Sequence, residues 1–180
     1  MLFRSVFMLI GIISDTHIGR ASNKLPRQVF ETFENVDLIL HAGDLTEISV
    51  IEELSEIAPV KAVRGADDDL NLPESEVIEV DGIRIGLNHG IVHPKGDKDQ
   101  LAYLAHDMGV RILVTGYTHS PKIETAGDVL LICPGSPTEP NLSKPTVILL
   151  EIENGNVEVE PVVVAPPTCS VFTFEPPNGE

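Results

Sequence analysis

The sequence predicts an α/β fold in four layers, α/β/β/α, with two mixed sheets face to face and helices outside. Three observations carry this. The first third alternates short apolar runs with amphipathic stretches in the order β-α-β-α-β, which implies parallel strands joined by right-handed crossovers. The second half holds short strands broken by the hairpin signals Asp81-Gly82 and Asn154-Gly155. Two such sheets packed face to face, with helices outside, bury both apolar surfaces.

Taken in order, residues 6–13 (VFMLIGII) form a short continuous apolar run, the mark of a buried strand. Residues 25–33 follow Asn23 and carry Pro26 near their start, which suits a helix N-terminus. There Leu25, Val29, Phe30 and Phe33 share one helical face. Residues 37–41 (DLILH) read as the second strand. Residues 47–57 read as a helix, with Ile48, Ile51, Leu54 and Ile57 at helical spacing, and 60–63 as the third strand. Residues 76–80 and 83–87 flank Asp81-Gly82 as a hairpin. A helix over 97–108 is stopped by Gly109, and 111–115 is another buried strand. Short strands follow at 122–125, 129–132, 146–152 and 157–164, so a parallel half precedes an antiparallel half. Residues 1–165 are expected to form a single domain. Residues 166–180, with Pro166-Pro167 and Pro176-Pro177, are expected to form a Pro-rich extension.

The chain of 180 residues is long enough for a full core, and at 42% hydrophobic it should fold. Its net charge of −16 argues against duplex nucleic acid and against an anionic membrane surface as partners. A phosphate ester remains compatible where metal ions supply local positive charge. Cys133 and Cys169 make no disulfide framework and no C-x-x-C pair, so a reducing, cytoplasmic setting is expected. The opening stretch, with Arg4, lacks a small-residue cleavage site and runs into Asp15 and His17; it reads as strand 1 with a short extension. No run reaches the ~20 apolar residues of a membrane helix.

The pair Asp15-x-His17 carries the most chemistry. If strand geometry continues past residue 13, residues two apart point the same way and can reach one metal ion. Alone the pair is weak. It gains force because four further polar clusters follow strand-like runs: Gly43-Asp44, Gly65-Ala66-Asp67-Asp68, Asn88-His89-Gly90 and Gly116-Tyr117-Thr118-His119. Loops at the carboxyl ends of strands are where open α/β sheets bind ligands. Carboxylates and imidazoles gathered there suit divalent first-row metals. An acid such as Asp44 on a Gly-Asp turn can bridge two ions about 3.5–4 Å apart, the geometry of two-metal hydrolysis.

The segments IISDTHIG, LILHAGDLT, VKAVRGADDD, GLNHG, LVTGYTHSP and LICPGSP, in that order over residues 10–150, give a specific resemblance. The chain resembles the calcineurin-like metallophosphoesterases, most of all their small members, which include prokaryotic phosphodiesterases and a sorting subunit of the retromer coat. The resemblance implies a metal-dependent phosphoesterase, in particular a phosphodiesterase, hydrolysing a small phosphate ester with metal-activated water. It implies that Asp15 and His17 hold a first metal closed by His119, that Asp44 bridges both metals, and that His89 ligates the second. Asp44 and His89 would be the catalytic pair. The cofactors implied are divalent ions of the Mn, Ni, Zn, Fe or Mg kind, with one tight site and one weak.

Three positions depart from the family pattern. Ala66 stands where the family has an Asn ligand, Tyr117 where it has a His ligand, and Ile91 where it has a second His of His-Gly-His. All three losses fall on the second-metal and substrate side. Asp67, His93 and Tyr117 are the neighbours placed to compensate. Asp68 matches an acid that shapes the loop in the family. Gly135-Ser136 read equally as backbone N–H groups offered near the site and as a tight turn. Blander readings stand beside the rest: His41 as structural, His106 as solvent-exposed, Cys133 as packing, and Asp67-Asp68-Asp69 as a solvated acidic loop. The depletion keeps open an impaired member that serves as a scaffold for protein contacts, and a single metal with a structural role. A homo-oligomer or a protein partner also stays open.

Overall fold

The computed structural model describes residues 7–165, so the Pro-rich segment 166–180, Cys169 and the extension before strand 1 lie outside the described residues. The elements run β1 (Phe7–Ile13), α1 (Arg27–Phe33), β2 (Leu38–His41), α2 (Ser49–Ser55), β3 (Val60–Ala62), β4 (Ser75–Val80), β5 (Ile83–Asn88), α3 (Lys98–Met108), β6 (Ile112–Val114), β7 (Pro121–Ala126), β8 (Val129–Pro134), β9 (Thr146–Glu153) and β10 (Asn156–Val163). Among them no helix is long and apolar enough to cross a membrane.

One sheet has the order β10-β9-β1-β2-β3 and the other β4-β5-β6-β8-β7. Strands β1, β2 and β3 are parallel, as the crossovers require. The expected division into a parallel half and an antiparallel half does not hold. Strands β5, β6 and β8 are also parallel neighbours, with α3 carrying the chain between β5 and β6. The β9–β10 hairpin returns to pair antiparallel with β1. Each sheet is therefore mixed. A hairpin signal fixes only the pair of strands it joins; the partner across a longer connection is chosen by packing.

Strand alternation sorts the core. Ile10, Ile12, Leu40 and Ala42 face Ile85, Leu87, Ile112, Val114 and Ile132 in the layer between the sheets. The alternate residues Ile13 and Ile39 face outward onto Val29 and Phe33 of α1 and Val50 and Leu54 of α2. On the far side Leu113 and Leu131 meet Leu101 and Ala105 of α3. Gly11 is the close approach in this design: a Cβ there would lie 2.8 Å from the Phe33 ring. Helix α2 is shorter and turned relative to expectation. Val50 and Leu54 are its buried residues, while Ile48 sits outside the helix at its N-cap position and is exposed. Ile48 was counted on the apolar face by spacing alone, which cannot say where the first turn begins. Helix α3 follows its end signals: the Asp97 side chain accepts from the Gln100 N–H, and Gly109 closes the helix at φ 66°.

Candidate metal centre

Loops after β1, β2, β3, β5 and β6 converge and are tied to one another by backbone bonds. The N–H of Asp15 donates to Gly43 O at 2.9 Å, that of His17 to Asp44 O at 3.1 Å, and that of Gly116 to His89 O at 3.1 Å. Asp68 fastens the β2 and β3 loops: its carboxylate accepts from the N–H groups of Asp44 (2.9 Å), Gly65 (2.8 Å) and Thr46 (2.7 Å). The approach is so close that a Cβ on Gly65 would strike the Asp44 carboxylate.

Asp15 and His17 do not continue the strand. β1 ends at Ile13, and both residues are left-handed, at φ 53° and 40°. Asp44, Tyr117 and His119 share this conformation at 56°, 69° and 59°. Left-handed backbone is costly for residues other than glycine and gathers where function over-determines it. The two side chains still meet, through a kinked loop rather than through strand alternation.

Asp15, His17, Asp44 and His89 are all buried, and His119 is half-buried. Asp15, His17 and His119 form one group of convergent donor atoms, and Asp15, Asp44 and His89 form another. In the first, His119 Nε2 lies 3.4 Å from His17 Nε2 and 3.4 Å from Asp15 Oδ1. Asp44 Oδ2 is 3.9 Å from His17 Nε2 and 3.0 Å from His89 Nε2, so it faces both groups. Asp15 does too, with Oδ1 4.0 Å from His89 Nε2. Donors ~2.0–2.2 Å from a shared ion lie roughly 3–4 Å apart, so these spacings fit a cation.

The hydrogen bonds point the ring nitrogens inward. His89 Nδ1 donates to Ala42 O at 2.7 Å and His119 Nδ1 to Glu139 O at 2.8 Å, leaving each Nε2 as a lone pair aimed at the centre. His89 Nε2 and His17 Nδ1 are buried without a hydrogen-bond partner. The unpartnered His89 Nε2 beside the Asp44 and Asp15 carboxylates fits a divalent ion, whereas His17 Nδ1 faces Asp67, at 3.8 Å, and turns Nε2 to His119 and Asp44. The electrostatics agree. Burial pushes the Asp15 carboxyl up, against the pull of His89 and His119. Burial opposes ionisation of Asp44 as well, but the His89 imidazole, 3.0 Å away, outweighs it and holds that carboxyl low. Burial would lower His89; the adjoining Asp44 and Asp15 carboxylates raise it instead.

His41 is structural. Its Nδ1 accepts from the Gly43 N–H at 3.2 Å, and its Nε2 faces Thr16 Oγ1 at 3.1 Å. Burial first, then the His89 charge, pushes its pKa from 6.5 down to about 3. The folded value lies below the unfolded one, so the stability tied to the neutral ring is complete above pH 6.5 and is lost as pH falls toward 3. Urea unfolding of the chelated protein is expected to show an acid loss on the order of a few kcal/mol from this ring. His41→Asn should flatten that part of the profile; an unaltered slope would remove His41 as its source.

Of the three neighbours placed to compensate, Asp67 converges with His17 and Asp44, and Tyr117 borders His89. Asp67 Oδ2 is 3.8 Å from His17 Nδ1, on the first-group side, and pairs with Arg20. Tyr117 lays its ring edge-on to His89, centroids 5.6 Å apart, under Lys95 Nζ at 4.1 Å. His93 packs on the outer side of that ring, at 6.3 Å. Ala66 is exposed. His106 is exposed beside Asp128, and Cys133 is buried, with burial pushing its thiol up to about 11.

Sequence reasoning reached the β8–β9 loop only at Gly135-Ser136 and missed Thr138 and Glu139. Ser136 Oγ donates to Asp15 O at 2.7 Å and Thr138 Oγ1 to Thr16 O at 2.7 Å, pinning the ligand loop from outside. Glu139 follows, with Oε2 3.7 Å from His17 Nε2. The only signal was Ser-Pro-Thr-Glu directly after Pro134-Gly135, which reads as a turn. Beside His89 and Gly65 opens a cleft of about 720 Å³, walled by Arg64, Ile91, Val92, Tyr103 and Leu104.

With this geometry in hand, the comparisons with known proteins are specific. The model of the calcineurin-like phosphoesterase superfamily domain matches residues 8–155. A probable metallophosphoesterase of Methanothermobacter thermautotrophicus is 42% identical over 170 residues, 93% of this chain and 99% of that protein. One of Methanocaldococcus jannaschii is 45% identical over 148 residues, 82% of this chain and 77% of that protein. Among solved structures, Vps29 of Entamoeba histolytica complexed with Zn²⁺ is 30% identical, with a TM-score of 0.74 over 88% of this chain and 100% of that one.

Proposed function

The chain belongs to the calcineurin-like phosphoesterase superfamily, and from that premise we propose that it is a metal-dependent phosphoesterase, in particular a phosphodiesterase, acting on a small phosphate ester. The observation that carries the reading is the convergence of buried carboxylate and imidazole donors, with the unpartnered Nε2 of His89 among them. Asp15, His17, His119 and Asp44 would hold the first cation, and Asp44 and His89, with Asp15 beside them, would face the second. A divalent ion there supplies Lewis-acid polarisation of a phosphoryl oxygen and a lowered pKa for water.

The chain's own groups do the rest. Asp44, held ionised at neutral pH, accepts a hydrogen bond from the attacking water and orients it toward phosphorus. His89, fixed by Ala42 O, keeps Nε2 turned toward Asp44, where it would help hold the second ion. Hydrolysis forms a P–O bond to the water oxygen and breaks the P–O bond to the alcohol. The proton lost by the water ends on the departing alcohol oxygen, and the organic part of that alcohol would lie in the cleft of Ile91, Val92 and Leu104. The test is turnover of an aryl phosphodiester and of the matching monoester with manganese, and again after chelation. Hydrolysis of the diester that chelation abolishes supports the reading; a preference for the monoester would move it to phosphomonoesters.

Metal loading is expected to be unequal. With Ala66 and Tyr117 in place of ligands, few donors face the second position, and such a set holds an ion loosely until water or substrate completes the shell. Calorimetric titration with manganese should resolve one tight and one loose event. Two equally tight events would mean that Asp67, Tyr117 or His93 moves in as a ligand.

The same two substitutions favour a second reading, a scaffold that keeps the fold for protein contacts. It becomes the better account if the protein binds two ions and hydrolyses neither ester.

A further inference from the structure

We propose that Glu139 is an additional protein ligand of the cation held by Asp15, His17, His119 and Asp44. The inference rests on the metal-centre reading above and adds a residue that strand order and motif spacing leave out.

Glu139 Oε2 is buried and has no hydrogen-bond partner, although the side chain as a whole is 40% exposed. The oxygen lies 3.7 Å from His17 Nε2, the ring nitrogen that also faces His119 Nε2 and Asp44 Oδ2. A carboxylate oxygen stripped of water and given no donor is costly to bury. Arg20, the nearby guanidinium, is engaged with Asp67. His119 Nδ1 gives its proton to the backbone carbonyl of Glu139, so it has none to spare for the carboxylate. A cation at the lone pair of His17 Nε2 would satisfy Oε2 together with that imidazole.

The backbone delivers the side chain along a short fixed path. The Glu139 N–H donates to Ser136 Oγ at 2.8 Å, and that hydroxyl donates to Asp15 O at 2.7 Å. The Glu139 carbonyl holds His119. One residue thus anchors a ligand-bearing loop on either side and sends its own carboxylate toward the gap between them. With Glu139 the first position gains a further carboxylate in a chain whose second position has lost two ligands. A set of carboxylates and imidazoles larger than four suits manganese, iron or magnesium better than four-coordinate zinc.

Glu139→Gln tests this, because it removes the charge and keeps the shape. Manganese and zinc affinities are read by calorimetry, and melting temperatures in chelator and in excess manganese. The expected result is a loss of manganese affinity of about tenfold or more, a smaller loss for zinc, and no drop in the melting temperature in chelator. Undiminished manganese affinity would overturn the proposal. So would a lower melting temperature in chelator with the manganese-induced rise intact, the mark of a structural role. Neither readout needs turnover. If Glu139→Gln loses manganese while the parent hydrolyses no ester, the ligand assignment stands and the phosphoesterase reading falls.

Discussion

Asp44→Ala is expected to empty the metal centre and abolish hydrolysis. Asp44 Oδ2 is the carboxylate oxygen that faces both His17 Nε2, at 3.9 Å, and His89 Nε2, at 3.0 Å. Its removal takes a charge from both positions at once. A ligand bound only to the native state stabilises by about 2.7 kcal/mol at a hundredfold excess over its dissociation constant. That corresponds to roughly 5–10 °C of melting temperature for a chain of this size. The variant should lose the manganese-induced part of its stability and its bound metal by elemental analysis. Asp44 also accepts the Asp67 N–H at 2.7 Å, so a truncated side chain loosens that loop as well. Asp44→Asn separates the two effects: its amide oxygen keeps the Asp67 contact while the charge is gone. Metal content that survives in both variants would sink the assignment of Asp44.

Where a local rule decides the structure, the chain could be read without coordinates. Asp97 and Gly109 bound α3 because a capping carboxylate and a left-handed glycine end helices whatever surrounds them. Asp81-Gly82 turns a hairpin for the same reason, with φ values of 51° and 75°. The order of the motifs told which residues belong to one site, since each follows a strand and strand ends share an edge of a sheet. What local rules do not decide stayed hidden. The parallel pairing of β5, β6 and β8 depends on how α3 packs, and nothing in three-residue β6 announces its neighbours. The left-handed backbone at Asp15 and His17 is imposed by bonds to Gly43 and Asp44 from another loop. Ser136, Thr138 and Glu139 look like turn residues until the fold brings them under Asp15 and His119.

Restoring the second position should raise activity. Ala66→Asn with Tyr117→His is expected to increase manganese-dependent hydrolysis of an aryl phosphodiester on the order of tenfold, the inverse of what a defect in a metal's surroundings costs. Ala66 is exposed at the loop that Asp68 ties to Asp44, so an Asn side chain has room there. Tyr117 already borders His89, and its N–H is held by both oxygens of Asp15 at 3.2 Å. The backbone at 117 is left-handed, a conformation that His adopts more readily than Tyr. The substitution gives up the contact of Lys95 with the Tyr117 ring, about 0.5–1 kcal/mol at an exposed site. Each new residue supplies one donor to the same ion, so the two gains are coupled: the single variants should each give little and the pair more than their sum. The loose manganese event should tighten in parallel. A double variant that binds the second ion tightly yet hydrolyses the diester more slowly than the parent would assign Tyr117 to a working site of a different design, in which the phenol and Lys95 meet the phosphate directly.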